Sequence, residues 1–116
     1  MNKKEKTAFG EFLVKEIQLA KMSQEEFYNS VGIKKPYFYN LLTETPPPPD
    51  LQVRIIAALE ERTGVDIDRR IKLYDLAAQC RNEIPADISK VILDNPNRMN
   101  EIRLLLEKLC LDNKEI

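Results

Sequence analysis

The side chains best suited to chemistry fall between residues 23 and 43 of this chain. A lysine ammonium group donates hydrogen bonds to phosphate oxygens or to guanine, and an asparagine amide can bond an adenine edge through two contacts. Lys34, Lys35 and Asn40 lie close together in this stretch and indicate a surface that binds nucleic acid. Each is also an ordinary residue on a solvated helix, so their joint placement carries the inference.

Three consecutive aromatic residues, Tyr37, Phe38 and Tyr39, lie among these polar groups. Consecutive residues of a helix point in different directions, so at least one of the three rings must face solvent. An exposed ring can pack on a thymine methyl group or on a protein partner. We assign the solvent-facing position to Tyr39.

The residues around these groups predict two short helices joined by a tight turn. Ser23 and Glu26 have the spacing of a capping box, in which each side chain accepts a hydrogen bond from the other residue's backbone amide. Gly32 suits the positive φ that ends a helix, and Pro36 suits the first turn of the next one. Two helices around a short glycine turn form the unit that places its second helix in a DNA major groove.

Apolar residues at helical spacing predict further helices, and no segment alternates as a strand does, so the predicted fold class is all-α. The predicted spans outside the pair are 8–21, Leu51 to about Thr63 with Gly64 as its cap, Asp66 to about residue 80, a short helix opened by Ile84-Pro85, and roughly 97–112. The inward faces of the first four helices are predicted to contain Phe9, Phe12, Leu13, Ile17, Ala20, Phe27, Val31, Phe38, Leu41, Leu42, Leu51, Ile55, Ala58 and Leu59. The fifth helix is expected to be well buried. Its predicted apolar stripe consists of Ile67, Ile71, Tyr74 and Ala78 and is widened by Leu73, Leu76 and Ala77.

A run of four prolines, residues 46–49, breaks the helical pattern between Thr43 and Asp50. Proline lacks a backbone donor and fixes φ, so the stretch is predicted to be an extended, polyproline-like connection. Such a run can also be a ligand for the aromatic groove of another protein. Because it lacks flanking basic residues, we favour a stiff connector.

The last helix carries more apolar surface than packing on one side requires. Its apolar residues are Met99, Ile102, Leu104, Leu105, Leu106, Leu109 and Leu111. These residues can simply complete the hydrophobic core of a monomer. We favour a homodimer, because recognition of paired DNA half-sites normally requires two copies. The predicted interface consists of Met99, Ile102, Leu105, Leu106 and Leu109.

Composition excludes several classes of protein. The chain has 43% hydrophobic and 32% charged residues and no apolar run of membrane-spanning length, which favours a globular cytoplasmic protein without a membrane partner. It has no histidine and only three glycines, which removes the usual general base and a glycine-rich phosphate loop. Cys80 and Cys110 lack CxxC spacing, so zinc and disulfides are not expected. We therefore predict no enzymatic activity, no cofactor and no small-molecule substrate.

Charge is nearly balanced across the chain, with a formal net charge of -1. Residues 1–45 contain seven lysines and six glutamates, a net charge of +1. Duplex binding draws much of its affinity from Lys and Arg at phosphates, so any positive surface must be local. It would consist of Lys34, Lys35 and an N-terminal arm of Lys3, Lys4 and Lys6, and binding through it should weaken sharply with salt.

Four segments carry a resemblance to a known family: FGEFL at 9–13, MSQEEF at 22–27, VGIKKPYFYNLL at 31–42, and a proline followed by an apolar helix at 51–59. They resemble the Xre family of lambda-repressor-like and Cro-like helix-turn-helix regulators. The resemblance covers about residues 8–70. It implies a five-helix DNA-binding domain over residues 1–70, followed by a C-terminal helical extension for dimerisation over residues 71–116.

The resemblance also implies roles for individual residues. Gln24 would touch a phosphate and brace the recognition helix, although it can also serve merely as the first residue of a capped helix. The residues implied to face the groove are Lys34, Lys35, Pro36, Tyr39, Asn40 and Thr43. Tyr37, Phe38 and Leu41 would turn partly or wholly inward.

Three features depart from the family pattern. Tyr28 stands where the family has a small alanine that lets the two helices approach, so it needs extra room. Ile17 and Leu42 stand where the family often pairs an arginine with a glutamate, and exchanging a buried ion pair for an apolar contact can be neutral or stabilising. Glu44 stands where glycine is common, and the basic residues that usually follow are replaced by threonine and prolines.

The sequence thus predicts a cytoplasmic all-α regulator of transcription that binds specific sequences of double-stranded DNA as a homodimer, acting as a repressor. The alternative is a protein-interaction module that keeps the helix-turn-helix fold without DNA affinity. The balanced charge, Tyr28, the proline run and the aromatic residues of the recognition helix favour that alternative.

Overall fold

The computed structural model describes residues 4–111. Within this range the chain forms seven α-helices and one short 3-10 helix, with no strand, which confirms the all-α prediction. The elements are α1 (Ala8–Leu19), α2 (Gln24–Ser30), α3 (Lys35–Thr43), α4 (Pro49–Thr63), α5 (Ile67–Arg81), α6 (Ala86–Leu93), a 3-10 helix (Pro96–Arg98) and α7 (Met99–Leu111). None of these helices has the length and apolar character to cross a membrane.

The chain separates into two compact units, residues 1–85 and residues 86–116. The first unit contains α1 to α5, and the second contains α6, the 3-10 helix and α7. The boundary that the sequence placed after residue 70 lies inside α5. All of α5 belongs to the first unit, where it packs against α1 and α4.

The predicted pair of short helices and the turn between them are confirmed. Ser23 Oγ accepts from the Glu26 amide at 3.0 Å, and Glu26 Oε1 accepts from the Ser23 amide at 3.1 Å. Gly32 has a φ of 77°, in the left-handed region that favours glycine. Pro36 lies in the first turn of α3, where its missing donor costs nothing.

The core of the first unit consists of apolar residues from all five of its helices. Every residue predicted for the inward faces of α1 to α4 is buried except Phe12, which is half-buried against the same cluster. Ile17 and Leu42 are each 1% exposed, so both members of the apolar pair lie in this core. Burying a side chain of this size contributes about 1.5–3 kcal/mol.

Helix α1 lies directly against the end of α3 at Gly10. A Cβ atom built on Gly10 would lie 2.0 Å from the backbone carbonyl oxygen of Leu42. The same oxygen accepts from the Thr7 amide at 2.9 Å and from Thr7 Oγ1 at 3.3 Å. Thr7 Oγ1 in turn accepts from the Gly10 amide at 3.0 Å and caps α1. These contacts tie the start of α1 to the last turn of α3.

The proline connector is shorter than predicted, because Pro49 and Asp50 form the first turn of α4. Proline is well suited to that position, since an N-terminal helical residue needs no donor. Pro46 and Pro47 are buried. Gln52 Nε2 donates to the Pro47 carbonyl at 2.8 Å, and Arg81 Nη1 donates to the Pro46 carbonyl at 3.3 Å. These contacts agree with a stiff connector and leave only the last two prolines accessible to a partner.

The predicted buried face of α5 is confirmed in its middle and last turns and is wrong at its start. Leu73, Ala77 and Ala78 are buried, and Tyr74 and Leu76 are half-buried against the core. Ile67 and Ile71, by contrast, are 56% and 47% exposed. The start of α5 is fixed instead by Arg69, whose Nη1 and Nη2 donate to Thr63 Oγ1 and to the Gly64 carbonyl, both at 2.7 Å. The expectation that the whole helix is well buried was therefore wrong, because polar contacts with the end of α4 replace apolar packing in its first turns.

An ion pair between α4 and α5 makes the stability of the first unit depend on pH. Glu60 accepts from Arg70 Nε at 2.5 Å and from Nη2 at 2.7 Å. These hydrogen bonds hold the pKa of Glu60 below its ordinary value of 4.5. A lowered folded-state pKa contributes stability that is present above the ordinary pKa and lost as the pH falls through the folded-state value.

We expect Glu60→Gln to be less stable than the wild type at neutral pH, with a difference that shrinks as the pH falls below 4.5. The measurement is urea unfolding at a series of pH values. Glu61→Gln, an exposed carboxylate on the same helix, is the control. A difference between Glu60→Gln and the wild type that stays constant with pH would contradict the role of the ion pair.

The second unit consists of two short helices around a turn. Asn95 Nδ2 donates to the Val91 carbonyl at 2.7 Å at the end of α6. Arg98 Nη2 donates to Glu101 Oε2 at 2.8 Å at the start of α7. The last helix begins two residues later than predicted, because residues 96–98 form the 3-10 helix. Its predicted end at residue 112 lies outside the described residues.

Candidate nucleic-acid interface

A concave surface, which we call the arm cleft, lies where the N-terminal segment, the start of α2 and the end of α3 meet. It encloses about 510 Å³ and is lined by Lys4, Lys6, Gln24, Tyr39, Leu42 and Thr43. Gln24, Tyr39 and Thr43 are predicted site residues from two different helices. Lys4 and Lys6 belong to the predicted basic arm. The fold therefore brings amine, amide, phenol and hydroxyl groups to one place.

The contact of Thr7 with Leu42 explains why the arm lies at the cleft. Its two hydrogen bonds to the Leu42 carbonyl fix the chain immediately after Lys6 on the last turn of α3. Lys4 then forms an ion pair with Glu44 at the end of that helix. Lys3, also assigned to the arm, lies outside the described residues.

The other predicted basic residues lie at the start of α3. Lys34, Lys35 and Pro36 are exposed but do not line the arm cleft. Lys35 Nζ lies 5.9 Å from the centroid of the Tyr39 ring, within reach of a cation-π interaction. Tyr39 therefore connects Lys35 at the start of α3 to the cleft at its end.

The aromatic residues of α3 divide between core and surface. Phe38 is fully buried, and Tyr39 is 47% exposed, as predicted. Tyr37 is 41% exposed, so of its two predicted positions it has the partly inward one, and its ring also reaches solvent. Tyr28 finds room by packing its ring 5.6 Å, between centroids, from Phe38, which also lies 5.8 Å from Phe27.

Two predicted polar residues of α3 already have partners within the chain. Asn40 is half-buried, and its Nδ2 donates to Glu44 Oε2 at 3.0 Å. Thr43 Oγ1 donates to the Tyr39 carbonyl at 2.9 Å, so its hydroxyl hydrogen is engaged. A phosphate accepts but does not donate, so it would have to displace that bond to bind the Thr43 hydroxyl. Thr43 is better placed to offer a methyl group and an acceptor.

Electrostatics at the start of α2 are mixed. Gln24 is followed by the exposed carboxylates of Glu25 and Glu26, which oppose the approach of a phosphate. The Ser23 backbone amide and the Arg62 guanidinium both donate to Glu26, and they hold its pKa below the ordinary value. Arg62 Nη2 lies 3.1 Å from Glu26 Oε2, so part of this negative charge is neutralised within the chain.

Sequence reasoning missed the residues that hold this surface in place. Gly10 and Thr7 fix α1 to α3, and Arg54 Nη1 donates to the Val31 carbonyl at 2.9 Å, fixing α4 to the turn between α2 and α3. From the sequence, Glu44 stands out only as a residue that departs from the pattern of the family the chain resembles. Its spacing of four residues from Asn40 is the one signal that was readable beforehand.

The predicted dimer residues lie on α7, where no residue is buried. Leu105 and Leu109 are each 68% exposed and Leu106 is 49% exposed, whereas Met99 and Ile102 are half-buried. Helix α7 therefore carries a row of exposed leucines, Leu105, Leu106 and Leu109.

The described residues define an all-α protein in which a lysine-bearing cleft adjoins the exposed face of a short helix. Comparison of this chain with known protein families, curated proteins and solved structures gave no match.

Proposed function

We propose that this chain is a cytoplasmic regulator of transcription that binds double-stranded DNA through a lambda-repressor-like helix-turn-helix, with α3 in the major groove. One observation carries the proposal: the arm cleft joins Lys4, Lys6 and Gln24 to Tyr39 on the exposed face of α3. Phosphate-binding groups thus lie beside groups that can reach base edges, which is the division of labour of a DNA-binding surface.

The proposed contacts follow from the chemistry of each side chain. Lys4, Lys6 and Gln24 bind backbone phosphates and set the position of α3 on the duplex. Lys34 and Lys35 anchor the other end of the helix, and Lys35 can also donate to guanine. Pro36 and Thr43 provide apolar contacts along the groove. Asn40 and Tyr39 read bases, the first by hydrogen bonds and the second against a thymine methyl group.

The proposal is tested by fluorescence anisotropy with a labelled duplex from upstream of the chain's own gene. A scrambled duplex is the control, and both are titrated from low to physiological salt. We expect preferential binding of the first duplex and a steep loss of affinity with salt, because lysines that bind phosphates release counterions. A folded protein that binds neither duplex at low salt would refute the proposal.

We further propose that α7 pairs with α7 of a second copy, which allows a repressor to bind two half-sites. Leu109→Asp places a charge on the exposed row of leucines, where a partner would bury it, and should yield a monomer. Sedimentation velocity measures the change. Asn97→Asp adds the same charge at an exposed polar position and is the control. A Leu109→Asp variant that still sediments as a dimer would refute this interface.

A second candidate function, a protein-interaction module with the same fold, is favoured by a specific observation. Glu44 engages both Lys4 and Asn40, and its carboxylate opposes phosphates. Tyr37 and Tyr39 leave two exposed rings on the same helix, and exposed aromatic residues are enriched in protein interfaces. Absence of DNA binding by a folded protein would favour this function.

A further inference from the structure

The asparagine of α3 is held by the residue that follows the helix. Asn40 Nδ2 donates to Glu44 Oε2 at 3.0 Å. The Glu44 amide donates to the Asn40 carbonyl at 2.9 Å, and the Thr45 amide donates to the same oxygen at 3.1 Å. Glu44 is therefore fixed over the last turn of α3 by its own backbone, with its carboxylate directed at the Asn40 side chain.

This contact determines the orientation of the Asn40 amide. A carboxylate only accepts hydrogen bonds, so the nitrogen of the amide, and not its oxygen, must face Glu44. The amide nitrogen carries two hydrogens, and one of them is enough for this bond. The other hydrogen and the amide oxygen remain for a second partner, and they are the donor and acceptor that an adenine edge requires in the major groove.

The negative charge of Glu44 would otherwise repel the DNA backbone. The ion pair with Lys4 offsets that charge within the chain. Lys4 also lines the arm cleft, so the lysine that pairs with Glu44 belongs to the surface proposed to bind phosphates. The arrangement gives Asn40 a fixed acceptor with little net charge beside it.

We propose that Glu44 is a positioning residue for base recognition: it orients Asn40 so that the free N–H and the oxygen of the amide are presented together to adenine. The inference rests on the proposed function and adds to it the base that is read and the residue that sets the selectivity. Glu44 itself contacts no base. Its effect appears at the one base pair that Asn40 reads.

The experiment selects duplexes from a pool with randomised positions, using the full chain. The wild type should enrich duplexes with adenine at one position. Asn40→Ala should show no preference for any base at that position. Glu44→Ala should lower the preference for adenine at the same position about tenfold, since a good amide contact to a base edge discriminates between bases roughly 5- to 150-fold. Glu44→Gln, which keeps an oxygen facing Asn40, should restore the preference. Glu61→Ala, at an exposed position of α4, is the control.

A second measurement separates positioning from a loss of folding. Glu44→Ala should bind a scrambled duplex as tightly as the wild type or more tightly, because Lys4 is released for phosphate. Equal losses on selected and scrambled duplexes would overturn the proposal.

Three further outcomes would also overturn the proposal. If Asn40→Ala abolishes the base preference at a position where Glu44→Ala leaves it unchanged, the proposed role of Glu44 is refuted and DNA recognition by Asn40 stands. If Asn40→Ala changes the base preference at no position, Asn40 does not read a base, and the proposed role of Glu44 is refuted with it. If the wild type enriches no duplex, the proposed function fails as well.

Discussion

Gly10→Ala should destabilise the first unit by about 3 kcal/mol, the upper part of the range for overpacking a well-packed core. Alanine normally stabilises a helix relative to glycine by about 1 kcal/mol, so the tertiary contact must reverse the sign of the change. It does so because the added Cβ atom would lie 2.0 Å from the Leu42 carbonyl oxygen. That oxygen belongs to the backbone and cannot rotate away, so α1 and α3 must separate.

The measurement is urea unfolding followed by circular dichroism. Separation of the two helices should also weaken the hydrogen bonds from Thr7 to the Leu42 carbonyl. Glu11→Ala, at the next and exposed position of α1, is the matched control and should change stability little. If Gly10→Ala is as stable as Glu11→Ala, the close approach of α1 to α3 is not what holds this end of the unit.

Lys35→Glu combined with Asn40→Ala should lower the affinity for a preferred duplex by about 100-fold or more while leaving the fold intact. The first change removes a cation from the start of α3 and places an anion near phosphates. The second removes a base contact of about 1–3 kcal/mol. Lys35 is exposed and Asn40 half-buried, so neither side chain belongs to the core. The loss of the cation-π interaction with Tyr39 should cost about 1 kcal/mol or less.

The measurement is anisotropy on matched and scrambled duplexes, with thermal unfolding of the same samples. The slope of affinity against salt should become shallower by about one unit, because one phosphate contact is lost. Lys15→Glu with Gln18→Ala makes the same chemical changes at exposed positions of α1 and is the control. A double variant of α3 that binds as the wild type does would exclude this face of the helix as the DNA-binding surface.

The duplex affinity that depends on α3 and the stability that depends on Gly10 are connected through Leu42. Its side chain lies in the core, and the residue also lines the arm cleft. Its carbonyl accepts from Thr7 and lies against Gly10. A change that moves this residue alters both stability and the surface proposed to bind DNA. The variants at Lys35 and Asn40 should affect binding with little change in stability, which allows the two effects to be separated.

The sequence was a reliable guide wherever the deciding interactions are local. The capping box of Ser23 and Glu26 joins residues three positions apart, and Gly32 needs only its own backbone conformation. The inward faces of α1 to α4 follow from apolar spacing within each helix. The chemistry of the side chains at the arm cleft could likewise be predicted, because lysines, an amide and a tyrosine have the same chemistry in any fold.

Tertiary structure decided which of these residues meet. Thr7 and Leu42 are 35 residues apart and Arg54 and Val31 are 23 apart, so no local pattern indicates their hydrogen bonds. The buried face of α5 also depended on packing, since the polar contacts of Arg69 with the end of α4 replace the expected isoleucine stripe at its start. Apolar spacing tells which residues can share a face of a helix. Which face is covered depends on where distant segments lie, and that is determined only when the chain folds.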